Sequence, residues 1–186
     1  MVDSVLFVNN QNGILSGTAG GSMVVRNSVF DRNGACEGAC AHGIYVGNLD
    51  LLQVEQSRFI GTKRGHHIKS RAVRTEVTDC NIQDGPDGTA SYEIEIPNGG
   101  SVVVRGNMVE KGPKSENHGR AIVIGAEGVT HPTPEITVEN NTFRNDGPWE
   151  TVFVDNRTAT EALLEGNQLS GPVAPLRGDG HVIAHH

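Results

Sequence analysis

The chain has 186 residues with 15 basic and 22 acidic side chains, a net charge of −7, and this balance argues against a dedicated nucleic-acid binder. Only 36% of residues are hydrophobic, against 24 Gly and 8 Pro; long helices are therefore not expected, and no window approaches the roughly 18 apolar residues of a membrane span. The length suits one domain with a core of its own, and the start MVDSVLFVNNQNG has neither the basic region nor the cleavable apolar run of a signal peptide.

Taken in chain order, the first recognisable element is VDSVLF at Val2–Phe7, followed by GILSG around Ile14 and Ser16. The same two elements then recur. VRNSVF begins at Val25 and GIYVG holds Ile44 and Val46; VEQSRF begins at Val54 and HIKSR holds Ile68 and Ser70. VTDCNI begins at Val77 with EIEIP after it (Ile94, Ile96), and VRGNMV at Val104 with AIVIG (Ile122, Ile124). VENNTF begins at Val138 with TVFVD (Val152, Val154), and LEGNQL at Leu164 is the seventh copy. The spacings are 23, 29, 23, 27, 34 and 26 residues. A loose repeat of this length predicts stacked coils.

Each copy has a physical reading. Its first residue and its last (Phe7, Phe30, Phe59, Ile82, Val109, Phe143, Leu169) face inward from two strands that meet at a corner. The third position (Ser4, Asn27, Gln56, Asp79, Gly106, Asn140, Gly166) is mostly Asn, Asp or Gly, the types that enter the left-handed region most cheaply. The fourth position is mostly small and polar, and Asn107, Asn141 and Asn167 are expected to form a hydrogen-bonded ladder. The Ile elements supply a third strand, with Ile14, Ile44, Ile68, Ile94, Ile122 and Val152 in one inward column. Three short strands per coil, β-branched ladders and variable loops at one corner predict an all-β parallel solenoid of about seven coils over residues 1–176. Residues 177–186 are read as a C-terminal tail, with HVIA as a last added strand and His185 and His186 as an appended remnant. Uncapped coil ends raise the prospect of end-to-end self-association. Cys36 and Cys40 are placed to close a small disulfide in an oxidising compartment, leaving Cys80 free and buried.

VENNTF, VRNSVF, NGILSG and HGIYV resemble the repeats of right-handed parallel β-helix proteins of the pectin-lyase-like superfamily. The resemblance implies right-handedness, an extracellular or periplasmic location, and work on acidic polysaccharides. It leaves the chemistry open, since this fold hosts lyases, hydrolases, epimerases, adhesins and inert scaffolds.

If the Ile column stacks, its neighbours define a surface. Tyr45, His67, Lys69, Arg71, Glu93 and Glu95 are expected on one exposed sheet face, with His42, His66, Tyr92 and Arg120 at the strand starts. The loops CEGACA, QDGPDGTAS and KGPKSENHG are expected to wall one side and AEGVTHPTP the other. For a lyase or epimerase, Arg71 or Lys69 would neutralise a uronate carboxylate, His67 or a Lys69 of lowered pKa would act as base, and Tyr45 as acid. His42, His66, Tyr92, Glu93, Glu95 and Arg120 would hold the glycan. The alternatives are an ordinary solvated sheet carrying a Lys69–Glu95 ion pair, a groove that binds without catalysis, and a non-catalytic binding, adhesin or assembly solenoid. Glu93 and Glu95 on one face would also suit a paired-carboxylate glycosidase. No metal ligand set is assigned: His42 and His66 lack a third partner, and Asp84 and Asp87 are a weak calcium candidate in a turn-forming DGPDG.

Overall fold

The computed structural model describes residues 1–184; His185 and His186 lie outside the described residues. Three parallel sheets of eight, seven and seven strands run the length of the molecule, and each complete coil contributes one strand to each sheet. In the third coil these are Leu51–Glu55, Arg58–Ile60 and His66–Ser70; in the fourth, Arg74–Thr78, Asn81–Gln83 and Tyr92–Ile96. Each pairs in register with its counterparts in the coils on either side. The chain is an all-β parallel solenoid. Gly180–Ile183, beyond residue 176, pairs with Ala162–Glu165 as the last strand of the first sheet.

The corner between the first two sheets follows from the repeat. Ser4, Asn27, Gln56, Asp79 and Asn140 all have φ between 47° and 58°, and Gly106 and Gly166 have φ of 67° and 64°. All seven third-position residues are thus left-handed, Ser4 and Gln56 included, because the two-residue corner admits no other turn of the chain. At the next position the inward Ser and Asn side chains accept the backbone N–H of the coil before. Ser28 Oγ accepts from Val5 N (3.2 Å), Asn107 Oδ1 from Cys80 N (2.8 Å), Asn141 Oδ1 from Asn107 N (2.9 Å) and Asn167 Oδ1 from Asn141 N (3.0 Å). The ladder therefore satisfies donors that the corner removes from the sheets.

The core is built of columns. Val25, Val54, Val77, Val104, Val138 and Leu164 form one, and Phe30, Phe59, Ile82, Val109 and Phe143 a second; all are buried. Phe7, Phe30 and Phe59 stack with ring centroids 4.7 and 4.5 Å apart. These rings need room. A Cβ at Gly13 would lie 2.7 Å from Phe30, and one at Gly43 would lie 3.4 Å from Phe59 and 2.5 Å from the His67 carbonyl oxygen.

In the third sheet the column runs Ile14, Ile44, Ile68, Ile94, Ile122 as expected, but its next member is Val154, and Val152 pairs with Arg120. The register is shifted by two residues at the sixth coil. Phe153, stacked on Phe143, and Val154 both point inward, while Val152 stands in the outer row with Arg120, so strict alternation fails in this strand. Cys36 and Cys40 are joined by a disulfide across the antiparallel pair Ala35–Glu37 and Ala39–Ala41, and Cys80 is free and buried.

Candidate functional site

The outer face of the third sheet carries Tyr45, Lys69 and Glu95 on adjacent coils in register. Lys69 Nζ lies 2.7 Å from Glu95 Oε2 and 2.7 Å from Glu127 Oε1. Arg71 reaches Tyr45 Oη through Nε at 2.9 Å, Asn98 Oδ1 through Nη1, and Glu127 Oε2 through Nη2. Both cations also lie over the Tyr45 ring, 5.8 and 5.7 Å from its centre. The face is thus a two-cation, two-carboxylate network resting on one aromatic ring. Burial opposes charge on Lys69, but its contacts with Glu127 and Glu95 outweigh that and raise its pKa. Burial likewise opposes charge on Glu95, and His66 and Lys69 override it, bringing the carboxyl down to about 2. Lys69 is therefore a firmly held ammonium, where a lowered pKa was expected for a base.

A second ladder lines the strand starts. His42 N donates to Asn12 Oδ1 (2.9 Å), His66 N to His42 Nδ1 (3.0 Å) and Tyr92 N to His66 Nδ1 (3.1 Å). Each Nδ1 is an acceptor, which places the ring proton on Nε2; that of His66 faces Glu95 Oε2 at 3.0 Å. The rings of His42, His66 and Tyr92 stack at 4.9 Å intervals and do not converge on a common point. Burial is the main cause that pushes His42 down to about 3. Arg120 continues the row and pairs with Asp155, which Arg157 also contacts at 2.9 Å.

His67 and Glu93 were expected on this face, and the structure places both inside the solenoid with no exposure. Alternation breaks where the chain turns into the strand, so His67 and Ile68 both point inward, as do Glu93 and Ile94. Glu93 and Glu95 consequently lie on opposite sides of the sheet and form no carboxylate pair, and His67 meets no surface ligand. Inside, His67 Nδ1 lies 2.8 Å from Thr62 Oγ1, and its Nε2 lies 3.0 Å from Asp84 Oδ1 and 3.2 Å from Glu93 Oε2. Lys111 Nζ donates to Glu93 Oε1 and to the Ser91 carbonyl, both at 3.0 Å. Burial alone would lower His67, yet hydrogen bonds to Asp84 and Glu93 raise it to about 9. Two cations and two carboxylates then cancel, which is the condition for burying such a group.

The ligand-type atoms of His67, Asp84 and Glu93 lie within 4.8 Å of one another, with Lys111 Nζ beside Glu93 Oε1 at 3.0 Å. Asp84 points inward, its Oδ2 accepting from Gly112 N at 3.0 Å, whereas exposed Asp87 pairs with Lys114 at 2.6 Å. Two loop residues carry no signal in the repeat. Glu127 comes from AEGVTHPTP, the loop expected to close the far side, and folds back over the face. Trp149, stacked on His118 at 3.5 Å, stands in the loop before the sixth-coil strand. Being the only Trp was its one distinguishing mark.

Stacked parallel coils with an Asn-type corner and a polar outer face on one sheet define a parallel β-helix of the kind found in the pectin-lyase-like superfamily. The family model for the right handed beta helix region matches residues 12–180, and the chain belongs to that family. This gives the solenoid its hand and supports a carbohydrate-active or solenoid protein in general. No curated protein and no solved structure gives a significant match.

Proposed function

We propose that the protein binds an acidic, uronate-containing glycan along the outer face of the third sheet. The observation that carries this reading is the side-by-side presentation of Lys69 and Arg71 over Tyr45, already bridged by one carboxylate. Guanidinium and ammonium groups suit sugar carboxylates, and Tyr45, Tyr92, His66 and Arg120 supply polar edges for hydroxyls along the solenoid axis. The disulfide supports an oxidising, extracellular or periplasmic setting.

Binding fits this face better than a lyase or epimerase reaction. Proton abstraction needs a group that is free to accept a proton. Lys69 is held as an ammonium by two carboxylates, and His67 lies in the interior. Titration of the protein with oligogalacturonates, with a neutral oligosaccharide in parallel, tests the reading. Binding of the acidic ligand alone is expected, weakened at least tenfold in Arg71→Ala and by rising salt, with no growth of unsaturated-uronate absorbance. Failure to bind any acidic glycan would overturn it, and a growing absorbance would restore the lyase.

A further inference from the structure

We infer that Glu127 is the resident occupant of a carboxylate subsite formed by Lys69 and Arg71, and that an acidic ligand enters by displacing it. The inference rests on the proposed glycan-binding reading for its ligand class.

The two carboxylates on Lys69 differ in kind. Glu95 is built into the sheet, with its side chain 6% exposed and shared with His66. Glu127 lies at the rim at 42%, outside Lys69 at 11% and Arg71 at 23%. The anion is thus the outermost member of the network and the cations are held beneath it. One Glu127 oxygen faces each cation, the arrangement a ligand carboxylate would adopt.

Both cations keep their positions without Glu127. Lys69 retains Glu95 and the Tyr45 ring; Arg71 retains Tyr45 Oη, Asn98 and the same ring. The loop also holds itself without the carboxylate. Glu127 N donates to the Pro97 carbonyl at 3.0 Å, Asn98 Nδ2 to the Gly128 carbonyl at 3.1 Å, and Thr130 N to the Asn98 carbonyl at 3.0 Å. Displacement therefore needs only rotation of one exposed side chain, while the backbone stays in place.

Charge sets the stoichiometry. With Glu127 swung away, Lys69 and Arg71 against Glu95 leave one net positive charge, room for one carboxylate. The tethered Glu127 competes at a high effective concentration, so a single sugar acid is resisted while a polymer with a carboxylate on each unit gains through contacts elsewhere on the face. Glu127 thereby acts as a filter for polyanionic over monovalent ligands.

The experiment is titration of wild type and Glu127→Gln with galacturonate monosaccharide, with glucose as the neutral control, and with trigalacturonate. The urea midpoint of the variant checks that it folds. Glu127→Gln is expected to bind galacturonate at least tenfold more tightly than wild type, with glucose unchanged and a smaller gain for trigalacturonate. Equal or weaker galacturonate binding by the variant, including no binding by either protein, overturns the inference. Tight galacturonate binding by the variant without binding of longer acidic glycans by either protein leaves the inference standing and overturns the proposed function instead.

Discussion

Replacing Lys111 with Met tests whether the interior of this solenoid is held by charge balance. Met keeps most of the buried aliphatic stem and removes the ammonium, leaving His67 with two carboxylates and one negative charge uncompensated. At the observed 3.0 Å to Glu93, an effective dielectric near 20 gives about 5.5 kcal/mol of attraction, and breaking buried pairs of this kind costs about 3–5 kcal/mol. That is a large part of the roughly 5–15 kcal/mol that holds a domain folded. The double variant Lys111→Met/Glu93→Gln removes one charge of each sign and leaves His67 balanced by Asp84. Urea unfolding should place Lys111→Met about 3–5 kcal/mol below wild type and the double variant within about 2 kcal/mol of it. A double variant no more stable than the single one would refute the reasoning, because removing a second buried partner would then have restored nothing.

Stability should peak near pH 6.5. His67 is raised to about 9, so its contribution is complete below its unfolded value of 6.5 and is lost as pH rises to 9; His42 is lowered to about 3, so the stability its neutral ring confers is present above 6.5 and lost as pH falls. Each group gives a slope of about 1.4 kcal/mol per pH unit in its window, and Glu95, lowered to about 2, steepens the acid limb below 4.5. Urea midpoints at pH 4.5, 6.5 and 8.5 check this, and a profile still rising at pH 8.5 would contradict it. In the corner ladder, Asn141→Ala leaves the Asn107 N–H and the Val104 carbonyl without their side-chain partners, at a cost of about 2–4 kcal/mol. The same change at half-buried Asn167 should cost less, and thermal unfolding showing equal losses would count against a ladder graded by burial.

The repeat was legible in the sequence because each coil obeys the same local rules. A left-handed corner residue, a small polar inward group and β-branched columns recur at recognisable positions, and stacking brings like residues together. Register therefore followed from pattern in the first two sheets, where the two-residue corner leaves no freedom. What alternation could not supply was the geometry where a long loop joins a strand. There two consecutive residues turn inward, which buried His67 and Glu93 and left Lys69 and Glu95 outside; the two-residue shift at Val154 has the same origin in the loop before it. Tertiary structure alone placed Glu127 on Lys69 and Arg71, and Lys111 on Glu93, since those contacts join residues 58, 56 and 18 positions apart through loops and coil ends that follow no period.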